Sequence, residues 1–229
     1  MELGKLGVWL GMDGMSAVQA AAFAKRVEEW GYGALWIPES RGRNALVHSS
    51  WLLSHTQRLI VATGIANIYA RDPMAMANGQ RTLAEQSGGR FLLGVGVSHR
   101  PMVEGLRGHS YGKPVTTMRA YLQAMRAAPY QAPEPPEKPL TVVAALGPRM
   151  MALSGELADG AHPYNVPPEH TAEARRILGA GAAILTASGA RPTLCGVDLR
   201  IGAAGDRADA ESEEHRRCIR KSRDRSKSV

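Results

Sequence analysis

The 229-residue chain has little cysteine and no long hydrophobic run. Cys195 and Cys218 are its two cysteines, and they lack the CxxC or Cys/His spacing of a metal site. This argues against a disulfide framework and a zinc site, and it fits a reducing compartment. The chain begins without a basic, apolar leader, and no window approaches the ~18 consecutive apolar residues of a membrane helix. We therefore expect a cytoplasmic protein that does not contact membranes.

Acidic residues are in the minority. The chain has 28 Lys and Arg against 21 Asp and Glu, a net charge of +7, and seven of the basic residues lie in His215–Val229. Such a tail can bind nucleic acid, but its ordinary interpretation is a solvated terminus. We favour the solvated terminus and do not expect nucleic acid as a partner.

Strand and helix signals alternate along residues 1–178. Short apolar runs such as Ala34–Ile37 are typical of strands that are covered on both faces. Ser16-x-x-Gln19 matches a capping box, and Asp72-Pro73 places proline at the first position of a helix. Six such βα units without hairpin signals predict a parallel sheet with helical crossovers.

Two architectures satisfy this order, a TIM barrel and an open doubly wound sheet. The open sheet predicts a GxGxxG motif after the first strand, and residues 11–15 (GMDGM) do not match it. The sequence therefore favours an α/β fold of the TIM (β/α)8 type, although six units are fewer than such a barrel contains.

The pattern changes after Leu178. Residues 179–229 have no aromatic residue and are rich in Ala, Gly, Arg and Ser. Thr193–Ile201 is a candidate seventh strand and Ala208–Arg220 a candidate polar helix. We expect a barrel domain at 1–178 and a divergent, partly disordered segment at 179–229, with a shifted reading frame as one hypothesis for its origin.

Polar side chains follow the predicted strands, and in an α/β barrel the loops after the strands surround one pocket. His99 and His162 are candidate proton donors because imidazole titrates near neutral pH, although a structural role is the usual one for a lone histidine. Gly147-Pro148-Arg149 is either a phosphate seat at a helix start or an ordinary helix start. The other polar residues at these strand ends include Glu39, Ser40, Arg71 and Asn165.

These segments together resemble the bacterial luciferase-like flavin oxidoreductases, especially the branch that uses the deazaflavin coenzyme F420. The resemblance covers residues 1–178. It is carried by GVWLG to AKRVEEWGYGALWIPES, by VATGIANIYARDP with MAMANGQRTLAEQSGGRFLLGVGVSH, by VEGLRGHSYGKPVTTMRAYLQAM and by PLTVVAALGPRMMALSGELADGAHPYNVPPEH.

The resemblance implies a TIM barrel with the cofactor ring at the carboxyl ends of the strands. One wall of the ring site would be Gly64, Ile65, Ala66 and Asn67, through a cis peptide bond that does not precede proline. The flanking residues would be Gly96, Val97 and Ser98. Gly147, Pro148 and Arg149 would hold the cofactor's phosphate, and the candidates for binding substrate are Glu39, Ser40, Arg71 and Asn165.

The implied activity is hydride transfer between F420 and a small organic substrate. Two alternatives stay open: an FMN-dependent monooxygenase that uses oxygen, and a non-catalytic homologue that binds a ligand or a partner. In the sugar-phosphate dehydrogenase branch the catalytic partners are a histidine and a glutamate, where this chain has Ser40 and His99. That particular reaction is therefore not expected. A homodimer is expected as an assembly because an open barrel would expose apolar strand edges.

Overall fold

The computed structural model describes residues 1, 3–179, 182–187 and 193–198. Its helices are α1 Ala17–Glu29, α2 Ala45–Ser54, α3 Pro73–Gln86, α4 Pro114–Ala127, α5 Pro148–Leu157 and α6 Pro168–Leu178, with a π-helical turn at Pro101–Leu106. Its strands are β1 Leu6–Trp9, β2 Ala34–Ile37, β3 Ile60–Thr63, β4 Ala66–Asn67, β5 Phe91–Gly96, β6 Thr141–Val143, β7 Gly160–Ala161, β8 Ala183–Ala187 and β9 Thr193–Asp198. Within the described part of the chain, no helix has the length and apolar character needed to cross a membrane.

The strands form one curled sheet. Parallel pairings run from β1 through β2, β3, β5, β6 and β7 to β8, and the short β4 adds to β5. Strand β9 pairs with both β8 and β1, so the sheet returns to its first strand. The α/β barrel architecture predicted from the sequence is confirmed.

Strand β9 differs from the all-parallel sheet that the sequence predicts. It is antiparallel to both of its neighbours, with Leu6 opposite Gly196 and Ile184 opposite Asp198. Five residues separate β8 from β9, too few for the helical crossover that a parallel connection needs. Residues 193–198 of the predicted strand Thr193–Ile201 form β9, residues 199–201 lie outside the described residues, and β8 was not predicted. The candidate helix at Ala208–Arg220 lies outside the described residues.

The helix starts follow the predicted chemistry. The Gln19 backbone N–H donates to the Ser16 hydroxyl at 3.2 Å, and the Ser16 N–H donates to the Gln19 side chain at 2.8 Å, which confirms the capping box. At α3 the Asp72 carboxylate accepts the Ala75 N–H at 3.0 Å, with Pro73 at the first helical position. These caps place both helices directly after strand-end loops, so they fix where those loops turn.

Apolar side chains fill two layers, one inside the curl of the sheet and one beneath the helices. Because side chains alternate along a strand, β2 sends Trp36 inward and Leu35 and Ile37 outward to the helices. All three are almost fully buried. Burial of each side chain of this size contributes about 1.5–3 kcal/mol, so both layers hold the strand ends in place.

A carboxylate braces the opposite, amino end of the sheet. Glu28, at the end of α1, accepts the backbone N–H groups of Gln57, Arg58 and Leu59 before β3, at 2.5–3.2 Å. Burial raises the pKa of Glu28, but these three N–H groups together outweigh it and leave the pKa below its ordinary value. The brace is electrostatic and depends on ionisation of Glu28.

Candidate functional site

The predicted site residues lie where the parallel strands end. Residues 38–40 follow β2, residues 64–67 include β4, residues 97–99 follow β5, residues 144–149 follow β6 and residues 162–165 follow β7. Because these strands are parallel, the five segments lie at the same end of the sheet. The fold thus brings the predicted segments to one mouth.

The segment from Gly64 to Asn67 forms one wall of this mouth. Its Gly64–Ile65 peptide bond is cis, which confirms the expectation drawn from the resemblance. The Gly64 N–H donates to the Ile37 carbonyl at 2.8 Å, and the Glu39 N–H donates to the Ile65 carbonyl at 3.2 Å. The end of β2 therefore fixes the position of this wall.

Strand β5 approaches this wall closely at its glycines. A Cβ at Gly96 would lie 2.7 Å from Ile65 Cδ1 and 3.2 Å from the Ala144 methyl group. A Cβ at Gly94 would lie 2.0 Å from the Thr63 carbonyl oxygen. A glycine within a strand often marks such a close approach, and here Gly94 and Gly96 allow β5 to pack directly against Thr63 and Ile65.

Glu39 and Arg71, both predicted to bind substrate, are paired with each other. Arg71 donates through both terminal nitrogens to the Glu39 carboxylate, and their side chains are only 10% and 5% exposed. Glu39 also accepts the Asn67 N–H at 2.8 Å and the Ala45 N–H at 3.2 Å. These contacts favour a supporting role, in which the pair holds β4 against the start of α2. Ser40 and Asn165 are exposed beside the mouth.

The two histidines occupy different places. His162 is 2% exposed and stacks on Trp36 inside the sheet, with ring centroids 4.5 Å apart and planes 5° from parallel. His99 is exposed, and its carbonyl accepts the N–H groups of Met102 and Val103 at the start of the π-helical turn. His162 therefore lies beneath the mouth, whereas His99 lies at its rim.

Sequence reasoning missed two aromatic residues at the mouth, Trp9 and Tyr164. Trp9 ends β1, and its indole N–H donates to the Gly64 carbonyl at 3.0 Å. The Tyr164 ring lies 5.1 Å from the Trp9 ring and is 45% exposed. Their positions in the sequence carried a signal, since Trp9 ends a strand and Tyr164 lies between His162 and Asn165.

The loop of residues 97–113 extends from β5 across to β2. Arg107 at its centre donates to the Ser40 carbonyl at 3.5 Å. Tyr111 stacks on Tyr69 at 5.9 Å and donates its hydroxyl to the Ser98 carbonyl at 3.2 Å. Burial raises the pKa of Tyr111 above its ordinary value, which further disfavours loss of the hydroxyl proton that makes this hydrogen bond. The loop is thereby attached to both sides of the mouth.

The start of α5 fits an anion. Gly147 is its N-cap and makes no side-chain capping bond, Pro148 follows, and Arg149 is exposed. The first helical hydrogen bond runs from Met151 N–H to the Gly147 carbonyl at 3.0 Å, so the N–H groups just before Met151 have no acceptor within the helix. A Cβ at Gly147 would meet no atom within 4 Å, which shows open space there. These features suit a phosphate group.

A family model described as luciferase-like monooxygenase matches residues 3–228. The chain therefore belongs to the luciferase-like monooxygenase family, and the match continues beyond Leu178, where the patterns recognised in the sequence stop. It is 33% identical over 192 aligned residues to a Mycobacterium tuberculosis protein named as a coenzyme F420-dependent oxidoreductase, with 70% of this chain and 55% of that protein covered. The chain spans about half the length of the curated relatives it matches.

Solved structures support the fold. An F420-dependent secondary alcohol dehydrogenase in complex with an F420–acetone adduct aligns with a TM-score of 0.68 at 15% identity, covering 79% of this chain and 67% of that chain. The oxygenating component of 3,6-diketocamphane monooxygenase from Pseudomonas putida, in complex with FMN, aligns with a TM-score of 0.60 at 16% identity, covering 76% and 62%. Both likenesses concern the fold.

Proposed function

We propose that this chain binds the deazaflavin coenzyme F420 at the carboxyl ends of its strands and transfers a hydride between it and a small organic substrate. The observation that carries the proposal is the cradle formed by Gly64–Asn67 and Gly96–Ser98 at the carboxyl ends of the strands, where Gly96 packs so closely on Ile65 that an added Cβ would lie 2.7 Å from Ile65 Cδ1. The family membership and the relative named as F420-dependent support the same conclusion.

The cradle is assigned to the ring of the cofactor. Its residues are Gly64, Ile65, Ala66 and Asn67 on one side and Gly96, Val97 and Ser98 on the other. Gly147, Pro148 and Arg149 hold the phosphate, since backbone N–H groups and a guanidinium together suit a phosphate anion. The start of α5 lies at the same end of the sheet as the cradle, because the chain passes from the end of β6 into α5 within a few residues.

The bound deazaflavin supplies the hydride chemistry, and the protein supplies position, orientation and exclusion of water. We assign Ser40 and Asn165, both exposed at the mouth, to contacts with the substrate. We assign proton exchange with the substrate to His99, which lies at the rim, while His162, stacked on Trp36, forms the floor. The loop of residues 97–113 limits the access of water.

The phosphate assignment is tested by Arg149→Ala, with Arg126→Ala, the change of an exposed arginine on α4, as the matched control. Loss of one charge-assisted hydrogen bond should weaken F420 binding by about tenfold or more in Arg149→Ala alone. The dissociation constants follow from fluorescence titration. Equal F420 affinities for the two variants would show that the phosphate does not bind at the start of α5.

An FMN-dependent monooxygenase is the second candidate, because one structural neighbour is in complex with FMN. Parallel titrations with F420 and FMN separate the two candidates by their dissociation constants. If neither binds, both enzymatic proposals fail, and the third interpretation, a homologue that binds a ligand or partner without catalysis, is left. We expect F420 to bind more tightly than FMN.

A further inference from the structure

Trp9 contacts the wall of the cradle with its only polar atom. The indole Nε1 donates to the Gly64 carbonyl oxygen at 3.0 Å, across 55 residues of sequence. The Gly64 N–H is bound by Ile37 and the Ile65 carbonyl by Glu39, both from the β2 side. Trp9 thus supplies the contact that fixes Gly64 from the β1 side.

The space around Gly64 is filled by two rings. A Cβ at Gly64 would lie 2.7 Å from Trp9 Nε1, 3.0 Å from Trp9 Cδ1 and 3.2 Å from His162 Nε2. His162 is held in turn by its stacking on the buried Trp36. The Gly64 backbone therefore rests directly on these rings, and any change in the Trp9 ring alters its support.

Trp9 also contacts the opposite side of the mouth. Its ring lies 5.1 Å from that of Tyr164 with a 45° angle between the planes, and Tyr164 follows β7. Trp9 thus spans the distance between the Gly64 wall and the β7 loop. A side chain in this place sets the width of the mouth.

We propose that Trp9 is a positioning residue for the cofactor ring, acting through the Gly64 carbonyl and the Tyr164 ring. Its indole N–H fixes the direction of the carbonyl, and its ring spaces the two walls. This inference rests on the proposed function for the identity of the ligand. The hydrogen bond itself is a property of the protein alone.

The test compares Trp9→Phe, which keeps an aromatic ring and removes the N–H, with Trp30→Phe, whose parent side chain is 55% exposed on the outer surface. The first readout needs no ligand and is the exchange rate of the indole protons in ¹⁵N spectra of the wild type. The Trp9 and Trp30 indole signals are assigned by their loss in Trp9→Phe and Trp30→Phe. We expect the Trp9 indole to exchange its proton more slowly than the indole of Trp30. Equal exchange would overturn the inference.

The second readout is F420 affinity. Trp9→Phe should raise the dissociation constant by about tenfold, the effect of one lost hydrogen bond, while Trp30→Phe leaves it unchanged. Trp9→His restores an N–H donor and should recover part of the F420 affinity that Trp9→Phe loses. The two variants are compared at equal thermal stability. Unchanged affinity in Trp9→Phe would refute the positioning role. Failure of the wild type to bind F420 would instead refute the proposed function, and the exchange measurement would still decide the hydrogen bond.

Discussion

Glu39 and Arg71 form an ion pair at the carboxyl end of the sheet, with their side chains 5% and 10% exposed. The carboxylate also accepts the backbone N–H groups of Asn67 and Ala45. The Tyr121 hydroxyl donates to the Arg71 carbonyl at 2.9 Å, which fixes the backbone of the arginine as well. One buried carboxylate thus joins the end of β2, strand β4 and the start of α2.

Removing one partner of this pair should be costly. Glu39→Gln leaves the buried Arg71 guanidinium without a compensating charge, and we expect a loss of about 3 kcal/mol in the free energy of unfolding. Urea denaturation measures the loss. The matched control is Glu29→Gln, which changes an exposed residue at the end of α1. A stability equal to that of the control would show that the ion pair does not support the site.

Glycine substitutions in β5 should separate folding from binding. At Gly94 the added methyl would meet the backbone carbonyl of Thr63 at 2.0 Å, so Gly94→Ala should lower the free energy of unfolding strongly. At Gly96 it meets the end of the Ile65 side chain, which can shift, so Gly96→Ala should fold and bind F420 more weakly.

The control for both is Gly105→Ala, where an added methyl meets nothing within 4 Å. Thermal denaturation and F420 titration are measured on all three variants. Gly96→Ala with the affinity of the control would contradict the position assigned to the ring.

Glu28 predicts a pH dependence of stability. Its folded-state pKa is lowered, so the stabilisation is present above the unfolded value of about 4.3 and is lost as the pH falls through the folded value. Glu28→Gln should therefore cost about 1–2 kcal/mol at neutral pH and progressively less in acid. Denaturation curves across this range measure the difference. If the difference in the free energy of unfolding between the wild type and Glu28→Gln did not depend on pH, the charge of Glu28 would not be what stabilises this contact.

The two histidines should respond differently to substitution. His162→Ala removes a ring that is 2% exposed and stacked on Trp36, and the cavity should cost about 2–3 kcal/mol. His99→Ala changes an exposed side chain and should alter stability by less than about 0.5 kcal/mol. Thermal denaturation tests both statements. If His99→Ala also leaves reduction of the bound cofactor by a substrate unchanged, the proton-exchange role of His99 is wrong.

Local signals in the sequence predicted most of the barrel. Ser16 and Asp72 marked helix starts correctly because capping is a short-range hydrogen bond. The continuous apolar run at Ala34–Ile37 indicated a strand buried on both faces, as found. The order of the parallel units follows from such signals, since each one lies within a few residues of the element it defines.

The remaining features depend on contacts between distant residues. The pairing of Glu39 with Arg71 spans 32 residues, so the sequence showed two charged residues and not their mutual neutralisation. The contact of Trp9 with Gly64 has the same character, because strand pairing alone brings them together. Strand β9 itself was predicted, but its antiparallel direction was not, because Thr193–Asp198 has no neighbouring hairpin signal of the two-residue type.

Titration of the full chain with oxidised F420, followed by the fluorescence of the deazaflavin, tests the central claim most directly. We predict saturable binding with one cofactor per chain, weakened in Gly96→Ala and in Arg149→Ala and unchanged in Gly105→Ala. Absence of saturable binding by the wild type, or equal binding by all three variants, would contradict a deazaflavin site at the carboxyl ends of these strands.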